Sequence, residues 1–343
     1  MEYGILMFCA FLFACIRKEV SPNIFIIFQV FLPFLFILFI GLRFEIGTDW
    51  YNYLDYFNHS NEGGFFESLL IGDPGYVLLN RLSKKIGGGI YLVNTFAAFS
   101  LIVPLVIFCQ RFKLVGFAFF LAIPYVLIIV GMGYTRQSIA LGFEIAALCF
   151  ALNSHFRLAF FWIFLATLFH KTALVLFPIF IIGFNLLGFG TILITVVIGF
   201  CFYFILESQF SNIISLYVKE QLASSGAHIR VLFNAVPAFL LFLFKNFKHE
   251  ENYKFWRLLA IMSIASILLV DVFPVAVDRV IIYFFPIQIF VFVNIIKYTF
   301  HHLRGLVFFS IIIIYAFYIF IWLNFGAHSA MWIPYRSLFS LFR

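Results

Sequence analysis

Charge is scarce in this sequence. Only 11% of its 343 residues are Asp, Glu, Lys or Arg, and 64% are hydrophobic. A soluble domain runs near a quarter charged and about half apolar. So little polar surface cannot coat a water-soluble fold of this length, whereas lipid accepts the excess. Several chemical signatures are missing too. There is no Walker A sequence, no GxGxxG after a strand and no HExxH. Asp49 and Asp55 are six apart and form no magnesium cluster, and His301-His302 has no carboxylate neighbour. No metal and no cofactor is expected. The five cysteines (Cys9, Cys15, Cys109, Cys149, Cys201) fall in apolar runs without a CxxC and read as small buried hydrophobes. The first apolar run has no basic n-region and no small-residue cleavage site, so it reads as a retained helix.

What the sequence has instead is long apolar runs. They are continuous, not the ~10-residue alternating segments of a membrane β-barrel. The expected fold is an all-α polytopic membrane protein with about twelve transmembrane helices. Runs at 3–16, 24–42, 91–109, 114–132, 137–152, 157–169, 172–187, 190–206, 231–244, 256–272, 280–296 and 305–324 supply them. One membrane domain covers 1–343, with no linker or repeat. Residues 43–90 read as an outer loop with an interfacial helix, and 207–230 as a second outer loop. Asp73-Pro74-Gly75-Tyr76 reads as a helix start, Asp73 capping and Pro74 first, for a charged segment over 74–86 too short to cross.

The net charge of +7 is scattered in ones and twos between these runs. That is a topology signal, and nucleic acid is not an expected partner. One alternating set of loops holds Arg17, Lys18, Arg111, Lys113, Arg157, Lys245, Lys248, Lys254, Arg257, Lys297 and Arg304 against Glu19, Glu250 and Glu251. The positive-inside bias assigns this set to the cytoplasm. The longest loops and most carboxylates then lie on the outer side, including Glu45, Asp49, Asp55, Glu62, Glu67 and Asp73.

Arginines also mark outer ends of spans, against that bias: Arg43, Arg136, Arg230, Arg279 and, in the tail, Arg336. Each alone has a bland reading, a side chain snorkelling to headgroups. Together they suit an outward site for a phosphorylated, lipid-linked ligand, because guanidinium forks bind phosphate oxygens bidentately. Arg136, Arg230 and Arg279 read as helix starts, where the dipole adds positive potential. Asp49 is the first acid/base candidate; it reads equally as a helix cap or a partner of Arg43. Asn52, Asp55 and His59 share its stripe. His170, at an outer turn, is the second candidate, or else a buried structural hydrogen bond. Glu144 is mid-span, either protonated or facing the bundle interior. Asp271 and Asp278 flank Pro274 and suggest a broken segment aiming Arg279 inward.

Taken in order, these residues resemble a family. Gly41-Leu42-Arg43-Phe44-Glu45-Ile46-Gly47-Thr48-Asp49-Trp50-Tyr51-Asn52-Tyr53 is similar to the GLRY-x-x-GTD-Y-x-x-Y segment of the EpsG family of bacterial polysaccharide polymerases, related in role to the Wzy O-antigen polymerases. Asp73-Pro74-Gly75-Tyr76 resembles its EPGY step, and Arg136-Gln137-Ser138-Ile139-Ala140 its RQ-x-IA. Phe169-His170-Lys171-Thr172-Ala173 resembles its FH-x-SA; Asp278-Arg279 and Pro334-Tyr335 also fit. Trp50 stands where Tyr is commoner.

The resemblance implies a GT-C-type membrane glycosyltransferase of the bacterial cytoplasmic (inner) membrane, with its active site facing the periplasm. It would join undecaprenyl-pyrophosphate-linked oligosaccharide repeats and release undecaprenyl pyrophosphate. Asp49 and His170 are then the candidate catalytic groups. Arg43, Arg136, Gln137, Arg230, Arg279, Tyr53, Tyr335 and Arg336 are the candidate substrate contacts. Trp50, Tyr51, Tyr53 and Tyr56 offer sugar-stacking faces. Implied partners are the lipid-linked oligosaccharide, membrane lipid, a chain-length regulator and a flippase. A flippase or transporter of the same lipid is the rival reading. It calls for basic groups spread through the bilayer depth, whereas here the polar residues gather at one face. A membrane acyltransferase fits less well, because the cytoplasmic-side histidines sit in ordinary basic loops.

Overall fold

The computed structural model describes residues 2–16, 21–60, 72–188, 190, 196 and 226–342. Among these residues the secondary structure is helical, apart from one isolated bridge between Arg43 and Ser337. Most of the expected span 190–206 and of the loop 207–230, and Arg17, Lys18, Glu19, Glu62, Glu67 and Cys201, lie outside the described residues. Among the described residues, five helices are long and apolar enough to cross a membrane, and a sixth crossing follows if one bent pair counts as a single span. Shorter apolar helices of 10–17 residues accompany them.

The chain divides into two compact units. The first comprises Met1–Cys149, Leu165–Lys171 and Thr299–Arg343. It contains α1 (Glu2–Cys15), α2 (Pro22–Gly41), α3 (Trp50–His59), α4 (Pro74–Lys85), α5 (Gly89–Cys109) and α6 (Val115–Gly133). Most of α7 (Thr135–Leu152), the end of α8 (Phe156–Phe169) and α14 (Arg304–Phe325) complete it. Helix α6 is its axis: 94% of its apolar window is buried by protein, against 22% for α14 and 33% for α2. Those two outer helices keep their apolar faces for lipid. Glycine permits the closest helix approaches in this unit. A Cβ on Gly116 would lie 2.2 Å from the Phe13 carbonyl oxygen, and one on Gly142 of α7 would lie 1.9 Å from that of Ser100 in α5. Phe13 also stacks on Phe28 and meets Phe119 edge-on. Residues 123–130 of α6 follow a π-helical path from Pro124 onward. Proline withholds an N–H from the α ladder, and the wider turn absorbs the break.

The second unit comprises Phe150–Phe164 and Thr172–Tyr298. Here α10 (Ala227–Leu243) and α11 (Tyr253–Leu269) pair with α9 (Lys171–Gly183) and α13 (Pro286–Tyr298). Aromatic rings cement it: Phe184 stacks on Phe255 at 4.6 Å and Trp256 on Phe290 at 4.2 Å. Pro274 opens α12 (Pro274–Ile281) and Pro286 opens α13, and the two helices bend by 47° at the break. The bend falls at Phe285, beyond the Asp271–Asp278 segment where a break is expected; Pro274 itself opens a helix.

Of the described cysteines, Cys109 and Cys149 are buried as expected, Cys9 is half-buried and Cys15 is exposed. Glu144 is buried within the first unit, which suits its interior-facing reading.

Candidate functional site

The segment Gly41–Trp50 leaves α2 and is pinned by the chain's far end. Leu338 N–H donates to the Leu42 carbonyl at 2.8 Å, Phe44 N–H to Arg336 at 3.0 Å, and Gly47 N–H to Met331 at 3.0 Å. Trp332, fully buried, donates its indole N–H to the Ile128 carbonyl in the π-helical stretch. Tyr335 stacks on Phe39 at 3.9 Å and donates its hydroxyl to the Phe39 carbonyl. Arg336 pairs with Glu45 at 2.5 Å. The tail thus straps the loop from residue 329 onward. Gly47 has φ +101°, and a Cβ there would lie 2.4 Å from the Met132 carbonyl oxygen. Both the left-handed backbone and the close approach call for glycine.

Beneath this strap lies Arg43, 1% exposed. Its Nη1 donates to the Ile40 carbonyl at 2.7 Å and its Nη2 to Thr135 Oγ1 at 2.8 Å. Its Nε has no hydrogen-bond partner. Both partners are neutral, so the cation rests on dipoles and on the Trp50 ring, 5.9 Å from Cζ. Burial pulls its pKa down to about 10, which leaves it charged at neutral pH. Snorkelling to headgroups does not describe this residue.

Next to it, Asp73 and Arg136 form an ion pair at 2.8 Å. Asp73 occupies the cap position of α4 as expected, but its side chain makes no cap hydrogen bond. The carboxylate goes to Arg136, in the first turn of α7, instead. The Arg136 guanidinium also lies 5.8 Å over the ring of Tyr53 in α3. Tyr76, fully buried in the first turn of α4, contacts both Tyr53 and Tyr56, and its hydroxyl has no hydrogen-bond partner. Burial raises the pKa of Tyr53 and pushes Tyr56 up to about 12, so both phenols are neutral donors. Arg81 and Lys84 of α4 donate to the Ser60 and Asn58 carbonyls and tie α4 to the end of α3.

The end of α8 meets the start of α4. A Cβ on Gly75 would lie 2.8 Å from the Phe169 ring. His170, half-buried, follows directly, and Lys171 after it experiences the charges of both Asp73 and Arg136. Burial lowers the pKa of Lys171; Asp73 opposes that shift and Arg136 adds to it. Asp49 precedes α3 without a side-chain cap bond, and its charge reaches Tyr53. Gln137, buried, follows Arg136. Four of the quoted motifs therefore converge on one patch of the first unit. The EpsG family profile matches residues 24–337, nearly the whole chain.

This chain belongs to the EpsG family. Membership makes it a membrane protein of the polysaccharide-polymerase type. No curated protein and no solved structure gives a significant match.

Two further arginines of this EpsG-family chain lie in the second unit. Arg230, in the first turn of α10, pairs with Asp278 of α12, and both side chains are mostly buried. Asn234 continues the network: it donates to the Ile281 carbonyl at 3.2 Å and accepts from Gln288 at 2.9 Å. Arg279 requires a correction. The helix begins at Pro274, so Arg279 is in the last turn of α12 rather than at a helix start, and it is exposed rather than aimed inward. The dipole argument does not apply to it.

Asp55 and His59 do share a stripe and pair at 3.2 Å, in the open. Among the described residues no three His, Cys, Asp or Glu side chains group to hold a metal. Sequence reasoning did not single out Lys171 or Tyr76 as site residues, nor Asp73 as an ion-pair partner. Each stands inside a quoted motif, but as the position beside the recognisable one.

Proposed function

We propose that this EpsG-family chain is a glycosyltransferase that polymerises undecaprenyl-pyrophosphate-linked oligosaccharide repeats at the periplasmic face of the inner membrane. In this reading the chain crosses about twelve times in a GT-C-like arrangement, and the patch around Arg136 faces the periplasm. The observation that carries the proposal is the meeting of Asp49, Tyr53, Asp73, Arg136 and His170 motif segments in one unit of a polymerase-family protein.

The acceptor hydroxyl of one repeat attacks the anomeric carbon of the growing chain. A new C–O bond forms while the bond to the diphosphate oxygen breaks. The hydroxyl proton passes to a base, Asp49 first and His170 second. Diphosphate is a good leaving group, so no strong general acid is needed. Arg136 stabilises the negative charge that grows on it, at a helix N-terminus that adds positive potential. Tyr53, Gln137, Tyr335 and Arg336 contact sugar and phosphate around this centre. Arg43, closed off by protein, holds the floor of the patch in place.

Purified protein given the lipid-linked repeat should yield a ladder of polymer lengths. Movement of the lipid across a vesicle bilayer with no ladder would identify a flippase and overturn the proposal.

A further inference from the structure

Arg136, Arg230 and Arg336 each meet a carboxylate. Arg43 is the most deeply buried of the four arginines and meets none. Its guanidinium holds a carbonyl, a hydroxyl and a ring face, all of them neutral. Burying a cation without a counter-charge is costly. A negative charge supplied from outside the chain would therefore be held firmly there.

The surroundings suit such a guest. The end of α2 meets α3, α4 and α5 at one corner of the first unit. That corner collects buried polar atoms that make no hydrogen bond: Arg43 Nε, Trp50 Nε1, the Tyr76 hydroxyl, Asn94 Nδ2 and Asn80 Oδ1. Four of these five carry hydrogen and can donate; only Asn80 Oδ1 is purely an acceptor. Folded proteins rarely leave such groups unmet, and a run of unmet donors marks a place for an acceptor. Contacts tie the residues together. The Arg43 guanidinium lies 5.9 Å from the centre of the Trp50 ring. The Trp50 ring meets that of Tyr91 at 6.3 Å, and Tyr91 stands one turn before Asn94 on α5. A Cβ on Gly41 would lie 2.5 Å from Thr95 Oγ1, so the end of α2 abuts the residue that follows Asn94. On the other flank Tyr53, one turn along α3 from Trp50, meets the Tyr76 ring at 5.6 Å.

We propose that this corner is a resident anion site. A small inorganic anion of the chloride class accepts hydrogen bonds from Arg43 and Trp50, with Tyr76 and Asn94 around it. It serves as the counter-ion that the chain itself does not provide. Closure sets the size of the guest. Arg43 is 1% exposed and Trp50 4%, so a lipid-linked diphosphate is too bulky to reach them beneath the closed strap. One buried cation also suits a single negative charge, since a second would be left uncompensated. The ion joins the 41–50 segment to α4 and α5, and it does so whether or not the chain polymerises sugars.

The test is thermal unfolding of the purified full chain in detergent, with sodium chloride replacing sodium gluconate at constant ionic strength. Gluconate, a bulky polyol anion, cannot follow a monatomic ion into a closed site. The midpoint should rise with chloride and level off, as for a ligand bound by the folded state alone. Bromide should substitute for chloride. Trp50→Phe keeps an aromatic face beside Arg43 and removes one N–H donor. It should raise the chloride concentration needed for half the effect about tenfold, the scale of one hydrogen bond to a charged group. Tyr76→Phe should move it in the same direction.

Equal midpoints in chloride and gluconate overturn the proposal and leave water to meet these donors. A chloride effect of wild-type size and concentration dependence in both variants also overturns it, because the ion then binds elsewhere. A shift in either variant places the ion at this corner. Should one variant not fold, the other decides, and the wild-type comparison of the two salts needs neither.

Discussion

Arg43 and Arg136 are both guanidiniums at helix ends, but their surroundings give them opposite duties. Arg43 is sealed under the strap with a carbonyl and a hydroxyl for partners. Truncating it leaves those groups unmet and opens a cavity. Arg43→Ala should therefore cost about 2–5 kcal/mol of stability. Thermal unfolding in detergent checks this, and an unchanged midpoint would contradict the burial argument. Arg136, with 40% of its side chain exposed, touches Asp73 and a ring face. Arg136→Ala should still insert, with a lowered melting midpoint because the buried Asp73 carboxylate loses its Arg136 partner, and should lose chain growth. Wild-type polymer lengths in that variant would remove the diphosphate assignment. Asp49→Asn should slow turnover strongly if Asp49 takes the proton; an unaffected rate leaves it a structural role only. None of these contrasts is legible from residue type. Arg43 bridges backbone to backbone with Ser337, nearly 300 positions away, and no local pattern announces that contact.

At the scale of the element, apolar runs translate well into helices. The run 24–42 is α2 (Pro22–Gly41), 91–109 is α5, and 305–324 is α14. The start at Asp73-Pro74 is also where α4 begins, because proline's fixed φ and missing N–H suit a first helical position. The same logic applied to Pro274 would have placed the start of α12 correctly. Taking Arg279 as the helix start instead ignored that proline and reversed the end of the helix on which it stands. The π path in α6 had only Pro124 as a warning. Close helix approaches depend on pairings across the fold, so glycines give no sign of which ones matter. Gly142→Ala should destabilise by about 1–3 kcal/mol, because its Cβ meets the Ser100 backbone. Gly4→Ala, with open space around it, should be neutral or slightly stabilising. Equal melting midpoints for the two variants would argue against backbone contact between α5 and α7.

Over the whole molecule, the first unit depends on its termini. Tyr3 near the start donates to the Trp332 carbonyl, and the strap that follows α14 closes over Gly41–Trp50. Deleting residues 329–343 should expose that segment to protease while α2 and α5 remain resistant. Unchanged cleavage would mean that the strap is not what holds the loop. The site itself is assembled from α3, α4, α7 and the end of α8, which is why its motifs are spread along the sequence. The central claim is that sugar transfer and diphosphate departure are one event at Arg136. The direct measurement counts undecaprenyl pyrophosphate released against glycosidic bonds formed by the purified protein. The account predicts equal counts in the wild type and neither product from Arg136→Ala. Polymer without matching diphosphate, or undiminished release by Arg136→Ala, would contradict it.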